Sequence, residues 1–272
     1  MHRLLKGARI ILGTILVLFI GFSVYLYVDA YPFAKFRTTQ DPIYATERLD
    51  LSGLKDLKAS GSNAPLFAQL QQHLSDVKSK KIICDVREGE YTYLKGIPLR
   101  YFGYHYQHPE LRHFLRRLFY TGTFQAHSKG LRGEEAEANA YGFHYVRLPI
   151  GSRYVTPDED VDHFVAFIES IAEDTWIHFH CDKGKGRTSM SLVMYDIMKN
   201  APGVSLKDIV KRQHLLGSED LGDLTPWQGG SYSKEMLTKR KRFIEEFYAF
   251  ICQRKASGLQ KWSAWKASLK GS

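Results

Sequence analysis

A cysteine and an arginine are separated by five residues in a glycine-containing segment, His-Cys-Asp-Lys-Gly-Lys-Gly-Arg-Thr at 180–188. A thiolate is a strong nucleophile, and a guanidinium group can hold two oxygens of a phosphoryl group. A loop that closes onto a helix N-terminus turns its backbone N–H groups toward an anion and also stabilises a thiolate. Gly184 and Gly186 permit that tight backbone. The segment predicts a phosphate-binding loop in which Cys181 is the nucleophile and Arg187 binds the phosphoryl group.

The remaining residues of the loop are predicted to bind substrate: Asp182, Lys183, Gly184, Lys185, Gly186 and Thr188. Thr188 can offer its hydroxyl to the sulfur. Lys183 and Lys185 add positive charge that favours multiply phosphorylated substrates, although both could be ordinary solvated lysines. The alternative is that Cys181 is an inert buried cysteine and that Arg187 is an ordinary residue at the start of a helix. This alternative fits the strand–loop–helix context less well.

The elements that must position this loop alternate along the chain. Short apolar runs predict strands, and apolar residues at helical spacing predict helices. The strands are expected at 81–86, 145–148 and 176–180, and the helices at 66–77, 134–141, 156–171, 188–199, 205–216 and 234–254. This alternation predicts an α/β fold with a central, largely parallel sheet flanked by helices. We also expect Thr156 to cap the helix that begins after it.

An uncharged apolar run of 19 residues, Ile10 to Val28, stands near the N-terminus. It is long enough for a transmembrane helix and longer than most signal-peptide cores. Basic Arg3, Lys6 and Arg9 precede it, which predicts a cytoplasmic N-terminus and a body on the periplasmic or extracellular side of the membrane. A cleaved signal segment, leading to a secreted protein, is the alternative.

The composition of the chain excludes several classes of protein. Hydrophobic residues make up 44% of the 272, which excludes a disordered chain, and three cysteines are too few for a disulfide scaffold. The scattered histidines and the lack of a CxxC pair argue against a structural metal site. The net charge of +9 suits a polyanionic partner. Nucleic acid is not expected, because the basic run 239–242 lies on a predicted helix and suits a solvated face.

Residues 180–188 match HCxxGxxRT, the signature of the protein tyrosine phosphatase superfamily. Further segments resemble its branch of tyrosine-phosphatase-like phytases, the cysteine-dependent inositol polyphosphatases. They are 36–38 (FRT), 58–62 (KASGS), 85–88 (DVRE), 176–181 (WIHFHC), 205–209 (SLKDI) and 212–214 (RQH). The resemblance covers most of residues 36–254 and implies a phosphatase domain at 36–256, followed by a C-terminal tail at 257–272. The apolar run before it makes residues 1–35 a membrane anchor or a signal segment.

The resemblance also implies a reaction. Cys181 would attack phosphorus, Arg187 and the loop backbone would hold the phosphoryl oxygens, and water would hydrolyse a phosphocysteine without metal or cofactor. The expected substrate is an inositol polyphosphate such as phytate, with a phosphotyrosine protein or phosphoinositide as the alternative. Arg87 would contact substrate phosphates, unless it forms a structural ion pair with Asp85 or Glu88.

One position departs from the family. Where the family has its general-acid aspartate, this sequence has Ser152, and serine cannot protonate a leaving oxygen. Four acidic residues are candidates for the role of general acid in its place: Asp158, Glu159, Asp160 and Asp182. A slow phosphatase is therefore expected, or a pseudophosphatase that only binds phosphoanions.

Two smaller hypotheses complete the predictions. Cys84 precedes the 85–88 segment, so a protective disulfide with Cys181 is possible beside the ordinary alternative of a buried thiol. Residues 104–117, rich in histidine and arginine, could bind phosphates or form a plain surface helix.

Overall fold

The fold is built from short strands and longer helices. The computed structural model describes residues 2–27, 35–89, 91–104, 107–124, 130–151, 156–226, 232–258 and 260–270. Its strands are β1 (Arg37–Thr38), β2 (Ala59–Asn63), β3 (Lys80–Asp85), β4 (Thr92–Leu94), β5 (Ile97–Pro98), β6 (Leu131–Gly133), β7 (His144–Arg147) and β8 (Thr175–Cys181). Its helices are α1 (His2–Tyr27), α2 (Phe67–His73), α3 (Leu111–Thr121), α4 (Glu134–Ala140), α5 (Asp158–Ser170), α6 (Gly186–Asn200), α7 (Leu206–Leu215), α8 (Lys234–Ser257) and α9 (Trp262–Lys270).

The chain divides into two compact units. The smaller unit combines residues 1–32 with residues 91–133, and the larger unit combines residues 33–90 with residues 134–272. The stretch predicted as one phosphatase domain, 36–256, therefore holds residues of both units. Each unit is described separately below.

The sheet of the larger unit has the order β1-β2-β8-β3-β7. Strands β2, β8, β3 and β7 run parallel, while β1 pairs with β2 in the antiparallel direction. The predicted largely parallel sheet is thus a mixed sheet with one antiparallel edge strand. Because the carboxyl ends of parallel strands meet at one edge, Asn63, Asp85 and Cys181 end their strands side by side.

Strand β8 is central, and all seven of its residues are buried. Its histidines are polar, so each needs a partner in the interior. The ring nitrogens of His178 lie 2.9 Å from the hydroxyl of Ser60 and 2.9 Å from that of Ser62, both on β2. Burial, together with the charges of His180 and Arg37, holds the pKa of His178 well below its usual value. His178 is therefore a neutral structural residue that couples β8 to β2.

Helices α5 to α9 pack their apolar residues into the core of the larger unit. The predicted helices match them closely, but α9 lies within the predicted tail. Its Trp262 and Trp265 are buried, and their indole N–H groups donate to Asp158 Oδ1 and Gln253 Oε1, each at 2.6 Å. The C-terminal segment is thus part of the folded body.

The smaller unit contains the sheet β5-β4-β6, the helices α1 and α3, and a core of Leu94, Tyr101 and Phe102. Helix α1 includes an 18-residue window, Arg9–Leu26, with a mean hydropathy of 2.2, of which 6% is buried. By length and composition this helix could cross a membrane. A signal sequence near the N-terminus would have the same properties.

Candidate active site

The predicted phosphate loop connects β8 to α6, as the sequence indicates. Strand β8 ends at Cys181 and α6 begins at Gly186, so residues 182–185 turn the chain onto the helix N-terminus. The hydroxyl of Thr188 donates a hydrogen bond to Cys181 Sγ at 3.1 Å. The sulfur therefore lies at the positive end of the α6 dipole and has a donor beside it, and both features stabilise a thiolate.

The two glycines of the loop differ in their surroundings, and backbone geometry requires a glycine only at position 184. Gly184 has a φ of +66°, and a Cβ there would lie 2.5 Å from the backbone nitrogen of Asn63. A Cβ at Gly186 would lie 2.9 Å from the hydroxyl oxygen of Tyr232. Gly184 thus lets the loop approach the end of β2, where the Ala64 N–H donates to the Asp182 carbonyl at 3.5 Å.

The charged side chains of the loop differ in exposure. Lys183 is exposed, while Asp182, Lys185 and Arg187 are half-buried. Within the part of the chain that the structure describes, the guanidinium of Arg187 makes no hydrogen bond or ion pair. Arg187 is the second residue of α6 and lies in the same first turn as Thr188. This placement leaves its five N–H donors available for phosphoryl oxygens.

Arg37 is a residue of the site that sequence reasoning did not assign. It is 3% exposed and lies beneath the loop, where its guanidinium donates to the Gly184 carbonyl at 3.1 Å, to Ser218 Oγ at 3.0 Å and to Ser189 Oγ at 3.2 Å. Burial lowers the pKa of Arg37 to about 10, against the opposing charges of Cys181 and Glu219. The guanidinium also donates to the Lys35 carbonyl at 2.9 Å. All of these hydrogen-bonded partners are neutral, so the charge of Arg37 acts on Cys181 and Glu219. The only sequence signal was the family-like segment 36–38.

Arg87 lies in a buried ionic cluster. It is 2% exposed, and its guanidinium binds Asp85 at 2.5 Å and 2.8 Å and also contacts Glu134. The Tyr145 hydroxyl donates to Asp85 at 3.0 Å, and burial and the Asp85 charge raise the pKa of Tyr145. The structural ion pair with Asp85 is therefore present, with Glu134 in place of Glu88. Contact of Arg87 with substrate stays a prediction.

The same cluster contains three side chains that could hold a metal ion, Asp85, Glu134 and His180, with ligand atoms within 4.8 Å of one another. His180 Nε2 lies 3.5 Å from Glu134 Oε1. The guanidinium of Arg87, however, already lies between the two buried carboxylates and forms an ion pair with each. The donor set therefore fits an ion-pair network better than a resident metal.

The general-acid position, Ser152, lies outside the described residues. The two ends of its loop are described: the Gly151 N–H donates to Thr156 Oγ1 at 3.1 Å. The predicted cap is therefore wrong, because Thr156 holds the loop while Pro157 is the N-cap of α5. Asp158, a candidate substitute acid, accepts from the Trp262 indole at 2.6 Å. Glu159 is exposed and Asp160 half-buried on the same helix.

Cys84 and Cys181 are both free thiols. Cys84 pairs in register with Phe179, so Cys181 lies two residues further along the neighbouring strand. With strands about 4.8 Å apart and a rise of about 3.3 Å per residue, their Cα atoms are about 8 Å apart. A disulfide normally joins Cα atoms within about 7 Å. The hypothetical disulfide would therefore require the backbone to move.

The family that matches this chain does so over a stretch that includes the predicted phosphate loop. Residues 124–199 match the model of the PTP-like phytase family, whose description names inositol hexakisphosphate. An uncharacterized protein, AvrBs1.1 of Xanthomonas euvesicatoria, is 32% identical over 95 residues, which cover 35% of this chain and 91% of the relative. Effector protein hopD2 of Pseudomonas syringae pv. tomato is 24% identical over 153 residues, 54% of this chain and 31% of that protein.

Solved structures give the same fold. A PTP-like phytase from Bdellovibrio bacteriovorus superposes with a TM-score of 0.59 at 25% identity, covering 86% of this chain and 99% of that one. A PTP-like myo-inositol phosphatase from Mitsuokella multacida, in complex with myo-inositol-(1,3,4,5)-tetrakisphosphate, gives a TM-score of 0.69 at 24% identity and covers 89% of this chain. This chain spans 46% of the length of the Mitsuokella protein.

Proposed function

The chain belongs to the PTP-like phytase family, and from this premise we propose that it is a cysteine-dependent phosphatase that hydrolyses phosphate monoesters of inositol polyphosphates. One observation carries the proposal: a thiol at a helix N-terminus, 3.1 Å from the donating hydroxyl of Thr188, on a loop that glycine residues allow to close. That arrangement activates the sulfur and binds a phosphoryl group at the same place.

The proposed reaction has two displacements at phosphorus. In the first, the Cys181 thiolate forms an S–P bond while the P–O bond to the inositol breaks, and the leaving oxygen takes a proton. In the second, water attacks phosphorus, the S–P bond breaks and inorganic phosphate leaves. Thr188 stabilises the sulfur when it carries negative charge, before the first step and after the second. Arg187 and the loop N–H groups hold the non-bridging oxygens throughout.

The substrate class rests on charge and on the relatives. The solved Mitsuokella protein holds an inositol tetrakisphosphate, and the family description names inositol hexakisphosphate. In this chain, Lys183 is exposed at the loop and Lys185 is half-buried within it. These two lysines give a second phosphate of a polyphosphorylated ring an electrostatic partner beside the one bound to Arg187.

A pseudophosphatase is the second candidate, and Ser152 is the observation that favours it. A positioned carboxylic acid typically contributes 10²–10⁴-fold to the rate. Without it, turnover would depend on good leaving groups such as phenols, while binding of phosphoanions by the loop would persist. The two candidates thus differ in rate and share the binding site.

We also propose that α1 anchors the protein, with the N-terminus in the cytoplasm. The 18-residue apolar window and the preceding basic residues support this orientation. N-terminal sequencing of the mature chain tests it: retention of residues 1–35 in the membrane fraction is expected, and a mature chain that lacks them would contradict the anchor.

The experiment that tests the activity compares two substrates. Detergent-solubilised full-length chain, kept reduced, is assayed for phosphate release from phytate and from a phosphotyrosine peptide between pH 4 and pH 8. Release from phytate that is lost in Cys181→Ser is expected. Release from the peptide alone would favour a protein phosphatase. No release from either substrate, with phytate still bound by both forms, would favour the pseudophosphatase.

A further inference from the structure

Helix α3 of the smaller unit has its apolar side turned outward. Leu111 and Phe119 are 64% and 63% exposed, and Leu118 is 37% exposed. These positions are seven and eight residues apart, so they share one face of the helix. The opposite face, turned into the unit, carries His113, Arg116 and Arg117, and all three are buried. This is the reverse of the pattern expected for a helix at a water-facing surface.

The buried cations fix that orientation. The Arg116 guanidinium donates to the Tyr101 carbonyl at 3.1 Å and lies 4.4 Å from the centre of the Tyr101 ring. The Arg117 guanidinium donates to the Phe102 carbonyl at 2.8 Å and lies 4.3 Å from the centre of the Tyr104 ring. Charge-assisted hydrogen bonds and cation–π contacts of this kind would be lost if α3 rolled over. The apolar ridge, defined as Leu111, Leu118 and Phe119, therefore stays outward.

The ridge adjoins the last turns of α1. The rings of Phe22 and Phe119 lie 5.7 Å apart, and Arg116 Nε donates to the Leu26 carbonyl at 2.6 Å. Carbonyl groups at a helix C-terminus lack intrahelical partners and carry partial negative charge, so Arg116 caps α1. The exposed apolar surface of α1 and the apolar ridge of α3 are thus continuous within one unit.

The position of Phe22 along α1 determines how deep Phe119 would lie in a lipid bilayer. Helix α1 ends at Tyr27, five residues after Phe22, which corresponds to about 7.5 Å at 1.5 Å per residue. Interfacial amphipathic helices bury their apolar face about 5–10 Å into the boundary between headgroups and acyl chains. Phe119, level with Phe22, would reach that depth if α1 spans a bilayer.

We propose, resting on the anchorage of α1 proposed above, that α3 is a second membrane-binding element. It lies in the interface of the lipid bilayer with its apolar ridge toward the acyl chains. The occupant of the ridge is lipid because the ridge continues the surface of the candidate span. Apolar contact, and not charge, drives the binding, since Arg116 and Arg117 are engaged inside the unit.

The test places a fluorescent label on the ridge of the full-length chain. In a Cys181→Ser, Cys252→Ser background, an environment-sensitive dye is attached to Leu118→Cys, or, as the matched control, to Leu51→Cys, an exposed apolar position in the larger unit. Both proteins are reconstituted into phosphatidylcholine vesicles that carry a quencher at a shallow acyl position. We expect blue-shifted, strongly quenched emission at position 118 and unquenched emission at position 51. A Phe119→Glu exchange should reduce the quenching at position 118.

Each other outcome overturns the proposal in a recognisable way. Chain that floats with the vesicles but shows no quenching at position 118 would refute the α3 contact and leave the anchor intact. Equal quenching at both positions would indicate general adsorption of the body. A blue-shifted label that lipid quenchers do not reach, and that depends on protein concentration, would indicate a second copy on the ridge. Chain that does not float would refute the anchor itself, and the α3 contact with it.

Discussion

Cys84 and Cys181 lie on adjacent strands and are both buried, yet their surroundings are opposite. Cys84 is inside β3, where burial and the neighbouring charge of Asp85 raise the pKa of its thiol well above the usual value. Cys181 ends β8, where the Thr188 hydroxyl donates to the sulfur at the N-terminus of α6 and the charge of Arg37 interacts with it. Position within a strand therefore decides the chemistry: the strand interior keeps a thiol protonated, and the strand end exposes it to donors.

The two buried arginines near these cysteines, Arg87 and Arg37, also differ in their surroundings. Arg87 is neutralised by two carboxylates, so it stabilises the cluster near Cys84 without lowering the pKa of that thiol. Arg37 is held by two carbonyls and two hydroxyls, so its charge acts on Cys181 as well as on Glu219. The following variants test this contrast, from the largest expected effect to the smallest.

Replacing each of the two cysteines with serine tests the contrast between Cys84 and Cys181 most strongly. Cys181→Ser should reduce phosphate release on the order of 10⁶-fold, the loss expected when a covalent nucleophile is removed. Cys84→Ser should keep activity within a few-fold, because Cys84 lies inside β3 and is not a residue of the loop. Steady-state assays on phytate measure both. Equal losses in the two variants, with folding intact by circular dichroism, would contradict the contrast.

Removing Arg87 should affect stability. Arg87→Met leaves Asp85 and Glu134 buried without a cation, and breaking a buried ion pair in this way costs about 3–5 kcal/mol. Urea denaturation of the chain measures the loss in the free energy of unfolding. Adding Glu134→Gln to Arg87→Met should recover part of it, because one buried charge is then removed. A loss below about 1 kcal/mol would mean that the cluster is not a stabilising network.

Removing Arg37 should change the reactivity of Cys181. In Arg37→Met, the rate of Cys181 alkylation by iodoacetamide at a fixed neutral pH should fall about ten-fold, equivalent to about 1.4 kcal/mol, because the thiolate loses a nearby buried cation. Arg37→Lys keeps the charge and should restore most of the rate, although it makes fewer hydrogen bonds to the loop. A structural role alone would lower phytate turnover without slowing the alkylation. An unchanged alkylation rate in Arg37→Met would therefore refute the electrostatic role.

The smallest effect is expected at Asp158. Its carboxylate accepts the Trp262 indole hydrogen bond, so Asp158→Asn should cost roughly 1 kcal/mol of stability and change phytate turnover less than about two-fold. Thermal unfolding and the pH–rate profile measure the two quantities. A loss of 10²-fold or more in turnover, with the alkaline limb of the pH–rate profile removed, would instead identify Asp158 as the general acid.

The sequence predicted the elements that carry strong apolar patterns. Strand β8, the loop and α6 were placed within two residues because a buried apolar strand, paired glycines and an apolar helix follow one another. Helices α5, α7 and α8 were recognised for the same reason. The predicted roles of Cys181 and Arg187 agree with their positions in the loop, and catalysis by either residue stays a prediction.

Other parts could not be predicted because their stability comes from partners distant in sequence. Strand β2 reads Ala-Ser-Gly-Ser-Asn, which carries no apolar alternation, yet all five residues are buried against β8 and α6. Arg37 is a single charged residue in sequence, and only the folded chain brings it under Gly184. A helix within 104–117 was one of two alternatives, and α3 confirms it, but it is not a plain surface helix because His113, Arg116 and Arg117 face inward.

The measurement that tests the central claim most directly is the trapping of the covalent intermediate. Full-length chain is mixed with phytate, quenched in acid within milliseconds, digested and sequenced by mass spectrometry. The account predicts phosphate on Cys181, none on Cys84, and a burst of released inositol pentakisphosphate of up to one equivalent per enzyme. Phosphate on another residue, or turnover with neither a burst nor a phosphoenzyme, would contradict it.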